Sequence, residues 1–434
     1  PTTLRQVRLG GGVEFDQIKT DVHLLSSWED RNFLGGLRSL RVQFKPGVVL
    51  YPTRISYLEA PNRLLPEARF NVLFKQPAFP EARTSLFFRP EANVFPMLLR
   101  TTPGEDDSVL GYRELKASLG LERVVYRVFA SLGHNVQVEN PFSYKGPLDA
   151  DLRTLVISYP ELVTRLSLVD DAVRPRKGVV LSNVLQVAGG PFQGDATDVK
   201  VQPEVRAYLP IGRRFTFASR ATVGLLYPTG YGQVVQDKLQ ERTTLSNRAE
   251  RVRDIETVFF RGFFAGGSNS NRGFPIRAIS PHGVVPFLNP GTASQQVALN
   301  CNPSAENNFN PDPTLCSISI GGFSLWEFSN ELRFKISGPI SGAVFCDMAD
   351  VSGRTSNIRL THLHLSCGAG GRYDTPVGPI RVDIGYRIQP AQVLGFPDED
   401  KAVASDPSLG VQPKFEVFDL RIPVALAFGV GEAF

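Results

Sequence analysis

The chain has 434 residues, of which 42% are hydrophobic, and its 47 basic and 43 acidic side chains give a net charge of +4. Mean hydropathy is close to zero, and there is no run of about 18 apolar residues that could cross a membrane as a helix. The small net charge gives no indication of nucleic-acid binding. Neutral hydropathy is compatible with a transmembrane β-barrel, because its strands alternate lipid-facing apolar residues with lumen-facing polar ones.

Alternation of apolar and polar residues predicts about sixteen strands. They cover residues 5–15, 19–28, 36–46, 66–75, 83–90, 112–126, 127–137, 153–168, 178–188, 199–209, 213–226, 324–336, 341–351, 362–374, 378–388 and 418–430. An even number of strands is typical of bacterial outer-membrane barrels. Pro1 opens almost directly onto a strand pattern, so we expect a mature or trimmed product.

The strand at 378–388 shows what the alternation means. Ile380, Val382 and Ile384 lie on one face, while Arg381 and Asp383 share the other face with glycine. Charges beside glycines are expected of a wet lumen behind a lipid-facing wall. The pattern therefore predicts an all-β fold, in which residues 1–434 form one 16-stranded antiparallel transmembrane β-barrel.

The longest stretch without a strand pattern covers about residues 227–323. Loops of this length without a core of their own are uncommon and usually functional. This one contains Phe263-Phe264-Ala265-Gly266-Gly267-Ser268-Asn269-Ser270-Asn271-Arg272-Gly273-Phe274. Gly266, Gly267 and Gly273 permit positive φ angles and close backbone approach, so a compact hairpin could enter a crowded lumen.

This glycine-rich segment resembles the signature loop of the BamA/TamA superfamily of outer-membrane β-barrel proteins. Two further segments match in the right order, Asn330-Glu331-Leu332-Arg333-Phe334 and Phe345-Cys346-Asp347-Met348-Ala349. In that superfamily the loop folds back into the barrel, and its arginine meets acidic residues on the two following strands. The resemblance implies a latch in which Arg272, followed by Gly273 and Phe274, pairs with Glu331 and Asp347. The alternative is a flexible surface loop that contains one arginine.

Other stretches extend the resemblance over essentially the whole chain. Residues 370–383, which include Thr-Pro-Val-Gly-Pro-Ile-Arg, resemble a strand-turn-strand of these barrels, and the ending at Phe434 resembles their last strand. Two positions depart from the family pattern, since Asn271 replaces an aliphatic residue and Ala349 replaces a glycine. The choice between a BamA-like and a TamA-like protein therefore stays open.

The resemblance implies a function in assembly or insertion of outer-membrane proteins, without covalent chemistry or a cofactor. Outer-membrane lipid, unfolded β-barrel clients and periplasmic or inner-membrane accessory subunits would be its partners in a Gram-negative bacterium. Such proteins carry periplasmic domains before the barrel, so we expect that residue 1 follows an N-terminal region that this chain lacks. A two-partner secretion pore, which exports a polypeptide through the lumen, and a passive porin or receptor are the alternatives.

We expect the functional region of the barrel at the seam between its first and last strands. Gly10, Gly11 and Gly12 weaken the first strand, and Pro423 removes a donor from the last strand, which ends near Phe434. A weak seam could offer an unpaired edge to an incoming strand. Alternatively, Pro423 simply marks a strand end.

The four cysteines are candidates for disulfide bonds, and one pair of histidines is a candidate for metal binding. Cys301 and Cys316 flank a polar segment of the long loop, which favours a disulfide in an oxidising compartment over two unrelated thiols. Cys346 and Cys367 are predicted to be ordinary residues of the barrel wall. His362 and His364 share a strand face, but without a further ligand they do not predict a metal site.

Overall fold

A computed structural model describes residues 4–15, 19–51, 53, 60–98, 109–146, 148, 150–238, 248–274, 276–284, 317–361, 363–375, 378–388, 415–417, 420–422 and 424–430. Sixteen strands among these residues form one antiparallel sheet, in which each strand pairs with the next one along the chain, and two short two-stranded ladders lie outside it. The predicted all-β, sixteen-stranded fold is confirmed.

The strands are β1 (Arg5–Phe15), β2 (Thr20–Asp30), β3 (Ser39–Tyr51), β4 (Arg63–Gln76), β5 (Thr84–Met97), β6 (Val109–Val125), β7 (Val128–Lys145), β8 (Leu155–Val169), β9 (Gly178–Ala188), β10 (Asp198–Ile211), β11 (Phe215–Pro228), β12 (Ser324–Ser337), β13 (Ile340–Ser352), β14 (His364–Thr375), β15 (Gly378–Arg387) and β16 (Val424–Val430). Most boundaries lie within a few residues of those predicted. The last strand is shorter than predicted, because Leu420–Ile422 pairs with Phe415–Val417 in a separate ladder.

The two faces of the sheet have opposite chemistry. Outward side chains such as Leu115, Leu132 and Ile384 are exposed, whereas Asp347 and Asp383 on the other face are fully buried. A water-soluble sheet would bury the apolar face instead. In a bilayer the exposed apolar face contacts hydrocarbon, which suits apolar side chains. Hydrocarbon offers no hydrogen-bonding partners, so every backbone hydrogen bond must be made within the protein.

The sheet wraps around part of the long loop, which contains the helices α1 (Gln233–Lys238) and α2 (Arg248–Arg261). Apolar residues of α2 belong to one buried cluster with side chains from β6, β8, β11, β12 and β13. The sheet therefore forms a barrel wall around this core. Within the long loop, Val252, Ile255 and Val258 of α2 are fully buried. Nowhere in the described chain does a helix have the length and apolarity needed to span a membrane.

Connection lengths distinguish the two ends of the barrel. Residues 126–127, 212–214 and 338–339 form short turns at one end, while residues 98–108, 229–323 and 388–423 connect strands at the other. Bacterial outer-membrane barrels have short periplasmic turns and longer extracellular loops. The long loop therefore enters the barrel from the end with the longer connections.

The prediction for Cys346 and Cys367 was wrong. These residues are cross-strand partners of β13 and β14, and a disulfide joins them with their Cα atoms 4.0 Å apart. Alternation places both on the outward face, but the pairing depends on the strand register, which the spacing of 21 residues does not reveal. Cys301 and Cys316 lie outside the described residues.

We expect the double substitution Cys346→Ser/Cys367→Ser to lower the free energy of unfolding by about 3 kcal/mol, because the bond closes a loop of moderate length in the unfolded chain. Urea unfolding of the protein in lipid vesicles measures this loss. Before reduction, alkylation of the denatured wild type should leave both residues unmodified. Full labelling without reductant would show that the bond is absent.

Candidate functional site

The glycine-rich segment forms a tight turn at the tip of the long loop. Gly266 and Gly267 have φ angles of 100° and 102°, which side chains rarely tolerate. The Gly267 amide donates to the carbonyl oxygen of Phe274 at 2.9 Å, which closes the turn. Gly273 is required for a different reason, because a Cβ there would overlap the side chain of Ser366 on β14.

The turn projects Arg272 into the lumen, where its side chain is 1% exposed. Its Nε and Nη2 donate to the two oxygens of Asp347 on β13 at 2.8 and 2.9 Å. Its Nη1 donates to Glu331 on β12 at 2.5 Å. The structure thus brings together the three residues of the latch, Arg272, Glu331 and Asp347. A planar guanidinium fork suits this arrangement, since it binds one carboxylate in a bidentate manner and a second at its other edge.

The latch belongs to a larger network that reaches β14 and β15. Arg372 on β14 bridges Glu331 at 3.3 Å and Asp383 at 2.7 Å. Asp383 also lies 3.6 Å from Arg272 and 3.3 Å from Arg381. All five of these side chains are buried. Four adjacent strands therefore contribute charges to one cluster at the loop tip.

The sequence placed Arg381 and Asp383 on the lumen face, but it assigned no role to them or to Arg372. Alternation shows which face a side chain occupies, and the family motif names only the arginine and its two acidic partners. Spacing within β15 offered a signal, since Arg381 and Asp383 share one face two residues apart. Burial of both was not visible from the pattern.

Charge balance keeps the Arg272 guanidinium ionised. Burial alone would lower the pKa of Arg272, but the carboxylates of Asp347 and Glu331 outweigh burial, so that the pKa lies above its usual value. The ring of Phe345 covers the guanidinium, with 3.4 Å between the guanidinium carbon and the ring centre. Removal of one partner would leave the others charged in a water-poor site, which is costly.

Asn271, one of the departures from the family pattern, is fully buried, and both polar atoms of its side chain form hydrogen bonds. Its Nδ2 donates to the carbonyl oxygen of His364 at 2.6 Å, and its Oδ1 accepts from the Ser366 hydroxyl at 2.5 Å. Phe274 packs edge-on against the His364 ring, with the ring centres 5.6 Å apart. Asn271 therefore binds polar groups of β14, where an aliphatic residue would require an apolar surface.

A second anchor, which the sequence did not reveal, binds helix α2 to β10. Arg261 donates to both oxygens of Asp198, at 2.9 and 2.6 Å, and the Tyr231 hydroxyl donates to the same carboxylate at 2.7 Å. Lys200 donates to the carbonyl oxygen of Arg261 at 2.7 Å and so caps the helix end. The loop is consequently held to the barrel wall at β10 as well as at the latch.

Helix α2 also carries a buried acid. The Tyr112 hydroxyl on β6 donates to Glu256 at 3.0 Å. Burial raises the pKa of Glu256 to about 7, while the bond from Tyr112 and the charge of Arg253 oppose part of this rise. The contact between α2 and β6 is therefore expected to weaken as the pH rises from about 4.5 to 7.

Of the residues predicted for the seam, the structure describes Gly10, Gly11 and Gly12 on β1. Gly10 and Gly12 pair with Leu25 and His23 of β2. A Cβ at Gly10 would meet only the Leu25 side chain at 4.0 Å, whereas one at Gly12 would lie 2.8 Å from the His23 ring. A side chain at position 12 would therefore require the His23 ring to shift, whereas Gly10 has space for one. Gly11 faces outward beside Leu24, and Pro423 and Phe434 lie outside the described residues.

One group of potential metal ligands occurs among the described residues. Single ligand atoms of Glu14, Asp21 and His23 lie within 4.8 Å of one another. Lys19 Nζ lies 2.8 Å from Asp21, and His23 Nδ1 is hydrogen-bonded to Asp21 at 2.8 Å. Because these contacts already occupy the carboxylate, the group is better described as an ion-pair network than as a metal site.

Comparisons with known proteins agree with this architecture. The model of the Omp85 superfamily domain matches residues 163–416. The BamA structure from Haemophilus ducreyi lacking POTRA domains 1-3 aligns with a TM-score of 0.61 and 14% identity, over 90% of this chain and 68% of that one. CdiB from Acinetobacter baumannii aligns with a TM-score of 0.52 and 12% identity, over 92% of this chain and 57% of that one. No curated protein sequence matches the chain significantly.

We expect Arg272→Ala to destabilise the docked loop tip by roughly 3–5 kcal/mol, because three buried carboxylates lose their shared cation. Hydrogen exchange of residues 263–274 measures the docking, and Arg272→Lys should recover only part of it. Arg63→Ala, which removes an exposed arginine from β4, serves as the control. An effect no larger than that of the control would contradict the latch.

The raised pKa of Glu256 predicts pH-dependent docking of α2. Glu256 binds its proton more tightly in the docked state than in the free loop, where its pKa is about 4.5. The docking free energy is therefore largest below about pH 4.5 and falls as the pH rises towards 7. The loss is on the order of a few kcal/mol. Hydrogen exchange of α2, corrected for intrinsic rates, should show this loss, and Glu256→Gln should abolish it. The exposed Glu250→Gln on the same helix should retain it.

Proposed function

Because the chain belongs to the Omp85 superfamily, we propose that it assembles or inserts proteins in the bacterial outer membrane. Membership assigns the chain to outer-membrane barrels that handle polypeptides. The proposed action is non-covalent and needs no cofactor. Its clients are unfolded β-barrel proteins, and lipid and accessory subunits complete its surroundings.

The observation that carries the proposal is the filled lumen. Helix α2 and the loop tip occupy the barrel interior, where they share one buried core with side chains of the wall. The Arg261–Asp198 pair and the latch hold them there. A polypeptide therefore meets a blocked passage through the lumen while the loop is docked. This favours work at the barrel wall over transport through its centre.

The first strand has features that suit work at the wall. Three successive glycines, Gly10, Gly11 and Gly12, leave the middle of β1 with little side-chain packing, and such positions weaken a strand. If β1 parts from the last strand, its free backbone donors and acceptors can pair with an incoming strand. We propose that this lateral seam is the route by which client strands are added.

In this mechanism the latch keeps the loop in place while the seam opens. Arg272 bonds to β12 and β13, and its network continues to β15, which is the neighbour of β16. The loop thereby braces the wall next to one side of the seam. Movement is then confined to the pairing between β16 and β1.

A polypeptide-exporting pore is the second candidate, and the fold likeness to CdiB is the observation that favours it. Export would require both loop anchors to be released. A passive porin would give no reason for the buried charges at the loop tip.

Photocrosslinking from position 10 in the full-length protein in living cells tests the proposal. Gly10 is suitable because its Cβ position is open, and Leu181, outward-facing on β9 and half-exposed, is the control position. Capture of strands from other outer-membrane barrels at position 10, but not at position 181, is expected. Capture of only the chain's own last strand would contradict the lateral seam and favour export.

A further inference from the structure

A second charged feature lies at the short-turn end of the barrel. Arg176 in the β8–β9 turn, Arg213 and Arg214 in the β10–β11 turn and Lys335 near the end of β12 are exposed. Arg176 Nη2 donates to the carbonyl oxygen of Arg213 at 3.0 Å, and the Lys335 amide donates to the carbonyl oxygen of Arg214 at 3.2 Å. These four neighbouring cations are termed the basic rim.

Nearby carboxylates do not neutralise the basic rim. Asp170 accepts the backbone amides of Arg176 and Lys177 at 3.0 and 3.1 Å, and Asp171 accepts those of Val173 and Arg174 at 2.7 and 2.9 Å. Both acids thus hold the turn that carries Arg176. Within the part of the chain that the structure describes, no carboxylate pairs with Arg213, Arg214 or Lys335. Asp170 and Asp171 keep their negative charges, but three of the four cations have no carboxylate partner among the described residues, so the patch retains a net positive charge.

An apolar band borders the basic rim on the outward face of the wall. Leu209, Ile211, Phe215 and Ile336 are 60%, 48%, 42% and 60% exposed. Ile211 and Phe215 are cross-strand partners, and Arg213 and Arg214 lie in the turn between them. Since a strand advances about 3.3 Å per residue, the cations lie only a few ångströms beyond the lipid-facing surface. This is the depth at which a bilayer changes from hydrocarbon to head groups.

We propose that the basic rim binds the phosphodiester head groups of anionic phospholipids in the leaflet next to the short turns. The guanidinium forks of Arg213 and Arg214 match the geometry of phosphate oxygens. The acyl chains of the same lipid contact Leu209 and Ile336. The outward position of this apolar band favours a lipid over an acidic protein, which would approach from the aqueous side.

Native mass spectrometry of the folded full-length protein in neutral micelles tests this site. Phosphatidylglycerol, phosphatidylethanolamine and soluble glycerol 3-phosphate are the probes. Arg213→Gln/Arg214→Gln is compared with Arg63→Gln/Arg153→Gln, which removes the same charge from exposed positions at the long-loop end. Heat-dependent gel mobility verifies that each variant is folded.

The wild type should retain phosphatidylglycerol more tightly than phosphatidylethanolamine, and high salt should remove the difference. The rim variant should bind phosphatidylglycerol about tenfold or more weakly, because two basic contacts are lost, while the control should not change. If the rim variant does not fold, the lipid and salt comparison on the wild type decides alone.

Four results would overturn the proposal. Equal retention of the two lipids by the wild type would remove the head-group preference. An equal loss in the control variant would indicate an effect of net charge. Displacement of the lipid by equimolar glycerol 3-phosphate would indicate a site for free phosphate, and photocrosslinks from position 213 to a protein instead of lipid would indicate a docking surface.

Discussion

The docking of the loop and the pairing of the neighbouring strands both depend on the buried guanidinium of Arg272. A cation removed from water must be matched by carboxylates at close range. Glu331, Asp347 and Asp383 supply them from three different strands, so their convergence requires the correct register of β12 to β15. A slip of one residue would turn each carboxylate towards lipid. Loop docking and strand pairing in this part of the barrel therefore stabilise each other.

The strands could be predicted from the sequence because the two faces of a membrane barrel contact different environments. Lipid on one side and a polar lumen on the other impose a period of two on every strand, and β1 and β9 were predicted with their correct limits. The last strand was predicted to begin at residue 418, but it pairs with β15 only from Val424. Pro423 has no amide hydrogen to donate, and the residues before it pair locally. Alternation alone does not distinguish a barrel strand from a local hairpin.

The site was predicted only where a family motif named its residues. Arg272, Glu331 and Asp347 came from the resemblance, whereas Arg372 and Asp383 are charged lumen residues among many others. Their convergence depends on the barrel's curvature, which periodicity does not encode. Helix α2 was missed although Val252, Ile255 and Phe259 follow a helical spacing of three and four residues. The disulfide between Cys346 and Cys367 likewise follows from strand register, which spacing did not supply.

The two loop anchors have different consequences for the two candidate functions. Arg261 binds the loop to β10, and Arg272 binds it to β12 and β13, so loss of either contact leaves the other in place. Opening the lumen for export requires both anchors to break together, with exposure of the apolar core around α2. In the proposed seam mechanism β1 and β16 move apart while both anchors stay intact, since neither strand contributes to them. The proposed seam mechanism therefore does not require the lumen to open, and a barrel that works in this way can keep its centre sealed.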